Sequence, residues 1–142
     1  MQDLELTGVA GLFAGIDPGA LAANEGTPLY AYSASAIRHR VHALQTALQG
    51  MDAGICYAVK ANGNGAVLRL LAEQGVGADI VSGGELRRAL RAGIPADRIV
   101  FSGVGKSAEE IEQALEVGVA RFNLESRAEL DLLQAIAAAL GV

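Results

Sequence analysis

Four short apolar segments recur along this chain at intervals of roughly 21 to 22 residues, and this spacing constrains the fold more than any other feature. The segments centre near Tyr57, Asp79, Val100 and Phe122, and a stretch with helical periodicity follows each of them. Strand-length segments that alternate with helix-length segments are typical of a parallel sheet built from βα units. We therefore predict an α/β fold that forms a partial (βα)8 TIM barrel with about the first four βα units.

Each predicted helix carries one apolar face that would cover a flank of the sheet. The faces comprise Val67, Leu68 and Leu71; Leu86, Ala89 and Leu90; Ile111, Leu115 and Gly118; and Leu130, Leu133, Ala137 and Leu140. A solenoid is the alternative fold for so short a repeat, but the leucine-rich signature is missing and the polar residues gather at strand ends. The pattern therefore favours the barrel.

Three segments that begin with serine mark the starts of the predicted helices. They run from Ser82 to Glu85, from Ser107 to Glu110 and from Ser126 to Glu129. Serine followed three residues later by glutamate is the pattern of a capping box, in which the two side chains satisfy backbone amides of the first helical turn. We interpret these residues as helix caps, and the role of Glu85 stays open between capping and chemistry.

The chain divides in sequence into residues 1–50 and residues 51–142. In the first region, the segment from Pro28 to Tyr32 is predicted to be an entry strand, and Ile37, Val41, Leu44 and Leu48 mark an amphipathic helix before Gly50. The second region is the barrel segment, and Gly141 would cap its last helix. Because a complete barrel needs roughly 250 residues, we expect this chain to be part of a longer polypeptide, cut before the fifth strand.

The composition fits a buried α/β sheet and excludes several classes of partner. Hydrophobic residues make up 51% of the chain, and 16 acidic against 11 basic residues give a net charge of −5. This acidic balance argues against nucleic acid as a partner. The amino terminus lacks the regions of a signal peptide and no apolar run reaches membrane-spanning length, so we expect a cytoplasmic protein without membrane partners.

Histidine and cysteine offer no functional site. His39 and His42 lie three residues apart on the predicted first helix, flanked by arginines and without a convergent cysteine or carboxylate cluster, so we predict no metal site. The single cysteine, Cys56, cannot form an internal disulfide and lies in an apolar strand. We expect it to be a small buried residue.

Lys60 ends the first apolar segment, immediately before a glycine-containing loop. In parallel α/β folds, active sites gather at the carboxyl ends of the strands. Packing against Ile55 and Val59 would partly desolvate the ammonium and so favour the neutral amine that attacks an aldehyde. A solvated lysine at a strand end is the plainer interpretation of the spacing alone.

Four motifs that follow one another along the chain support the interpretation that Lys60 is catalytic. The segments Tyr57 to Asn62 (YAVKAN), Gly77 to Leu86 (GADIVSGGEL), Phe101 to Ser107 (FSGVGKS) and Phe122 to Ser126 (FNLES) closely resemble the diaminopimelate decarboxylase family. These enzymes belong to the alanine-racemase-like, fold-type III group that uses pyridoxal 5'-phosphate (PLP). The resemblance runs from about residue 27 to the end of the chain. It implies decarboxylation of meso-diaminopimelate to L-lysine and CO2, in lysine biosynthesis, by a full-length homodimer.

The resemblance also assigns expectations to individual residues. Lys60 corresponds to the family's Schiff-base lysine, which makes it the expected catalytic and cofactor-binding residue. Asp79 corresponds to an acid near that lysine, although a buried aspartate that accepts backbone hydrogen bonds is an equal interpretation. Ala58 would leave room for the cofactor ring. Asn123 and Glu125 could line the same mouth, but no role is assigned to them.

Several alternatives stay open. Another basic amino-acid decarboxylase, acting on ornithine, arginine or lysine, has the same fold, whereas Gly63-Asn64-Gly65 differs from the corresponding loop of the alanine racemases and makes a racemase the weaker choice. A non-catalytic PLP-binding fragment is a further alternative, because family members place the phosphate-binding glycines and the ring-stacking histidine later in the chain. A nucleotide-binding domain is the remote alternative. Gly105-Lys106-Ser107 resembles the end of a P-loop, but Val100 occupies the position where that motif requires a glycine.

Overall fold

A computed structural model of the chain describes residues 16–142. The chain divides into two compact units, residues 1–49 and residues 50–142. The described part of the first unit contains helix α1 at Pro18–Glu25 and helix α2 at Ala34–Ala47. The side chains of Asp17 and Ser33 cap these helices by accepting hydrogen bonds from backbone amides of the first turn. The predicted amphipathic helix is therefore confirmed as α2.

The predicted entry strand is wrong. The segment from Pro28 to Tyr32 contains no strand, and Tyr30 is 91% exposed. An extended segment becomes a strand only when a neighbouring backbone supplies its hydrogen bonds, and no strand pairs with this segment within the described part of the chain. Helix α1 was not predicted, although Asp17-Pro18 combines a capping residue with a proline at the first helical position.

The second unit contains a parallel sheet with the strand order β1-β2-β3-β4. The strands are β1 at Cys56–Ala58, β2 at Gly77–Ile80, β3 at Ile99–Phe101 and β4 at Arg121–Phe122. All four predicted strand segments are confirmed, with their neighbours in the predicted order. The register places Ala58 opposite Asp79.

A helix follows each strand, as the repeat predicts. These helices are α3 at Gly65–Glu73, α4 at Gly83–Arg91, α5 at Ala108–Glu116 and α6 at Arg127–Leu140. Short 3₁₀ turns at Val59–Ala61 and Ala96–Arg98 follow β1 and precede β3. The helices form the crossovers between parallel strands, because the chain must return to the starting edge of the sheet before each new strand.

The core of the second unit lies where β2 and β3 meet their helices. Ile80, Ile99 and Phe101 are fully buried, and Leu68 of α3 and Leu86 of α4 pack into the same cluster. Fully burying an aliphatic or aromatic side chain of this size stabilises the fold by about 1.5–3 kcal/mol. The apolar faces predicted for α3 and α4 therefore include residues that anchor these helices to the sheet, and Ile111 on the face predicted for α5 is also fully buried.

The last helix departs from the predicted pattern. In α6 the only buried residue is Glu129, whereas Leu130 on the predicted apolar face is 41% exposed. The adjoining strand β4 has two residues and pairs only with β3. An edge strand this short leaves little sheet surface for a helix to cover, so Leu130 stays exposed, while Leu133, Ala137 and Leu140 on the same face are half-buried.

The three predicted serine caps are confirmed. Ser82 Oγ accepts from the amide of Glu85 at 3.3 Å, and the corresponding bonds at Ser107 and Ser126 measure 3.2 and 3.1 Å. Only Ser107 forms the complete reciprocal box, in which Glu110 Oε2 accepts from the serine amide at 3.1 Å.

The other two boxes differ from the prediction in the second hydrogen bond. Glu85 accepts from the amide of Val81 at 2.8 Å, and Glu129 accepts from the amide of Glu125 at 2.9 Å, each one residue before the capping serine. The two serines involved have φ angles of −160° and −155°, compared with −75° at Ser107. This more extended backbone presents a different amide to the glutamate, so Glu85 ties the end of β2 to the start of α4.

Candidate functional site

Lys60 lies in the 3₁₀ turn that directly follows β1, at the carboxyl edge of the sheet. This position agrees with the prediction that Lys60 marks the end of the first strand. The expected partial desolvation is wrong, because Lys60 is exposed whereas its neighbour Val59 is 1% exposed. Successive residues of a 3₁₀ turn point about a third of a turn apart. The turn therefore buries Val59 and presents the lysine amine to solvent.

Asp79 lies on the neighbouring strand and is half-buried. Its strand partner is Ala58, which is also half-buried and stands two residues before Lys60. Ser102 Oγ donates a hydrogen bond of 2.5 Å to Asp79 Oδ1, and Asn123 Nδ2 donates one of 2.9 Å to Ser102 Oγ. The carboxyl ends of β2, β3 and β4 are thus joined by one line of hydrogen bonds, which we call the strand-end chain of Asp79, Ser102 and Asn123.

Backbone hydrogen bonds hold the members of the strand-end chain in register. The amide of Ser102 donates to the carbonyl of Ile80 at 2.8 Å, and the amide of Asn123 donates to the carbonyl of Phe101 at 2.9 Å. The sheet pattern therefore continues just beyond the ends of β3 and β4. Asp79 lies on the strand that pairs with β1, and Asn123 lies at the same edge of the sheet. Glu125 is exposed and its amide donates to the Glu129 carboxylate.

Sequence reasoning missed Ser102. The residue belongs to the Phe101 to Ser107 motif, but no role was predicted for it. A usable signal existed, because Ser102 follows Asp79 by 23 residues and precedes Asn123 by 21. Polar residues that recur with the period of the βα unit reach the same edge of the sheet.

The loop after Lys60 is tied down from two directions. Asn62 Oδ1 accepts from the amide of Asn64 at 3.0 Å, and Asn64 Oδ1 accepts from the amide of Ala66 at 2.9 Å, which caps α3. From α4, Arg88 Nη1 donates to the carbonyl of Gly63 at 3.2 Å. The backbone that follows the lysine is therefore ordered by local turns and by the next helix.

The second lysine of the sequence, Lys106, has a different environment. It is 6% exposed, and its Nζ donates to the carbonyls of Gly103 and Asn123 at 2.7 Å each and to Glu129 Oε2 at 3.3 Å. These contacts join the β3–α5 loop to the β4–α6 loop. Because acceptors enclose this amine, it is not available to bind a phosphate as the lysine of a P-loop does. The nucleotide-binding interpretation therefore lacks its phosphate-binding lysine.

Glu129 is the buried acid that faces Lys106. Hydrogen bonds from the amide of Glu125 first, and from the side chain and amide of Lys106 next, lower the pKa of the Glu129 carboxyl below its usual value, against the opposing effect of burial. A buried carboxylate with a lysine partner and several donors is satisfied as an ion. This pair therefore has a structural role where the β3–α5 and β4–α6 loops meet.

The expected burial of Cys56 is wrong. The residue is exposed, and its Sγ lies 3.8 Å from the carbonyl oxygen of Arg98. It borders a cavity of about 460 Å³ at the amino edge of the sheet, on the side opposite to Lys60. Partial burial raises the pKa of its thiol above the usual value, and the neighbouring Arg121 lowers it by less. The edge strand β1 leaves this side chain uncovered.

Residues 16–142 contain neither clustered metal ligands nor a helix suited to crossing a membrane. No group of three or more histidine, cysteine, aspartate or glutamate residues in that part of the chain could hold a metal ion, and His39 and His42 lie in α2. No described helix combines the length and the apolar character that a membrane crossing requires.

Comparison with known proteins supports the assignment of the fold. Residues 34–142 match the family described as pyridoxal-dependent decarboxylase, pyridoxal binding domain. The diaminopimelate decarboxylase of Pseudomonas fluorescens is 54% identical over 133 residues, which cover 92% of this chain and 32% of that protein. The chain thus spans about 30% of the length of the curated relatives it matches.

Solved structures agree. The diaminopimelate decarboxylase of Helicobacter pylori complexed with L-lysine superposes with a TM-score of 0.85 at 47% identity, and covers 89% of this chain and 32% of that one. The corresponding enzyme of M. jannaschii in complex with L-lysine gives a TM-score of 0.82 at 40% identity, with coverage of 89% and 31%. The predicted α/β class, the partial barrel and the family resemblance are therefore confirmed. The chain belongs to the pyridoxal-dependent decarboxylase family, and residues 34–142 match its pyridoxal-binding domain.

Proposed function

We propose that this chain carries the lysine-bearing part of a PLP-dependent diaminopimelate decarboxylase, which converts meso-diaminopimelate to L-lysine and CO2. The observation that supports the proposal most directly is an exposed Lys60 just beyond the carboxyl end of β1, with the half-buried Asp79 on the adjacent strand β2. Relatives named diaminopimelate decarboxylase at about 50% identity support the choice of substrate.

The residues at this edge fit one part of a PLP site. Lys60 offers a primary amine that an aldehyde can reach, and the small side chain of Ala58 leaves space beside it. Asp79 would accept a hydrogen bond from the lysine amine and orient it. When bound, PLP supplies the electron sink that accepts the electron pair left by the departing carboxylate. The chain's own residues would bind the cofactor and hold the amine in place.

Other substrates and a non-catalytic role are the competing functions. A structural neighbour that decarboxylates arginine, from Paramecium bursaria Chlorella virus, is 25% identical with a TM-score of 0.63, compared with 47% and 0.85 for the Helicobacter pylori enzyme. This difference favours diaminopimelate over arginine. The chain spans about 30% of its relatives' length, so we propose that these 142 residues alone are not active. We further propose that the full-length protein is active as a cytoplasmic homodimer.

The chain's lysine content makes the cofactor assignment directly testable. Lys60 and Lys106 are its only two lysines, so borohydride reduction after PLP addition, followed by peptide mapping, has few possible products. We expect reduction to attach the pyridoxyl group to Lys60 at PLP concentrations well below those that modify free Nα-acetyl-lysine. The Lys60→Arg variant should lose that product.

Two controls complete this experiment. Lys106 should stay unmodified in the folded chain, because its amine is buried and hydrogen-bonded. Modification confined to the α-amino group, or modification of Lys60 that needs as much PLP as the free amino acid, would contradict the assignment. Decarboxylase assays of the full-length parent with meso-diaminopimelate, ornithine and arginine would then separate the candidate substrates.

A further inference from the structure

We propose that Ser102 and Asn123 are positioning residues that orient the carboxylate of Asp79 toward the Lys60 amine. The inference rests on the proposed function of Lys60 and Asp79, and adds two residues to which no role was assigned. Neither residue would contact the reacting atoms. Both would act through Asp79, which is why their effect has to be separated from a general effect on stability.

The direction of the hydrogen bonds in the strand-end chain follows from the chemistry of its members. The Nδ2 group of Asn123 can only donate, so Ser102 Oγ must accept the bond that joins them. A hydroxyl that accepts in this way still has one hydrogen, and Asp79 Oδ1 at 2.5 Å is its acceptor. The chain therefore runs in one direction, from amide to hydroxyl to carboxylate.

This direction determines which oxygen of Asp79 is left available to an amine. With Oδ1 held by Ser102, Oδ2 is the oxygen that can accept from an amine at Lys60. Asp79 lies opposite Ala58 in the register of β1 and β2, and Lys60 follows Ala58 by two residues. A carboxylate fixed by one oxygen has lost most of its rotation about the Cβ–Cγ bond, so it can hold an amine in a single orientation.

The far end of the strand-end chain is anchored by the buried lysine. Lys106 Nζ donates to the carbonyl of Asn123 at 2.7 Å and pairs with Glu129 at 3.3 Å. Ser102 is in turn followed by Gly103, whose φ of +85° turns the backbone away, and a side chain at this position would lie 3.0 Å from Val81 Cβ. The backbone at Asn123 and Ser102 is therefore held in place by its surroundings.

Competitive acetylation of the amines in the chain tests the inference without any cofactor. Trace acetic anhydride modifies exposed amines in proportion to their reactivity, and the ratio of Lys60 to the α-amino group is read by mass spectrometry. Asp79→Asn should change this ratio, because it removes the negative charge that faces the amine. We expect Ser102→Ala and Asn123→Leu each to shift the ratio about threefold, in the same direction as Asp79→Asn.

The choice of variants separates positioning from stability. Asn123→Leu keeps the approximate size of the side chain but removes the donor without adding a charge, which leaves the Ser102 hydroxyl free to rotate away from Asp79. Ser102→Thr keeps the hydroxyl and should restore the wild-type ratio. Ser107→Ala removes a serine hydroxyl that caps α5 outside the strand-end chain, so it should lower the unfolding temperature and leave the ratio unchanged.

The outcomes distinguish this inference from the proposed function. If Asp79→Asn changes the reactivity of Lys60 but Ser102→Ala and Asn123→Leu do not, the positioning role is wrong. If Asp79→Asn has no effect either, Asp79 does not face the amine and the inference fails at its first step. Failure of PLP to modify Lys60 would instead overturn the proposed function, because the acetylation ratio does not depend on cofactor binding.

Discussion

The junctions after β1 and β3 each place a lysine beyond the carboxyl end of a parallel strand, but the two lysines have opposite environments. Lys60 is exposed at the open side of an edge strand, whereas Lys106 is 6% exposed and surrounded by two carbonyls and a carboxylate. The difference teaches that position in a βα unit brings a residue to the functional edge of the sheet. The neighbouring loops decide whether that residue is available for chemistry.

The largest effect should come from removing the buried cation. Lys106→Met leaves the Glu129 carboxylate without its partner in a buried position, so we expect the free energy of unfolding to fall by about 3–5 kcal/mol. Urea denaturation followed by circular dichroism would measure it. Lys60→Met is the matched control, and its exposed side chain should change the stability by less than about 0.5 kcal/mol. Equal losses in the two variants would break the comparison.

Acid should destabilise the Lys106 junction in particular. Because the folded-state pKa of Glu129 lies below its unfolded value near 4.5, its stabilising contribution is present above about pH 4.5 and is lost as the pH falls through the folded-state pKa. Glu129→Gln should therefore be less stable than the wild type near pH 7, and the difference should shrink as the pH falls below about 4.5. Thermal unfolding across this range would show the convergence. A constant difference would contradict the role of this carboxylate.

The smallest effect should appear at the loop beside Lys60. Arg88→Ala removes an exposed hydrogen bond to the carbonyl of Gly63, so the free energy of unfolding should change by less than about 1 kcal/mol. Amide exchange at residues 62–64 should nevertheless become faster, because one of the two restraints on the loop is lost. Arg127→Ala, which removes an exposed ion pair with Asp131 in α6, is the control and should leave exchange at this loop unchanged.

Much of the fold was predictable because its signals are local. The strand segments near Tyr57, Asp79 and Val100 and the serine caps depend on periodicity and on residues within about four positions of each other. The predictions that are wrong needed information from distant residues. Whether the segment from Pro28 to Tyr32 forms a strand depends on a pairing partner, and whether Cys56 is buried depends on what covers β1.

The sequence by itself determined the four βα units, the family and the position of Lys60 at the end of the first strand. Only the tertiary structure decided that Lys60 is exposed, that Lys106 is buried and that Asp79, Ser102 and Asn123 are joined by hydrogen bonds at one edge. These contacts link residues 23 and 21 positions apart. They form because parallel register brings successive strand ends together, and the close packing of the loops between them then selects which side chains meet.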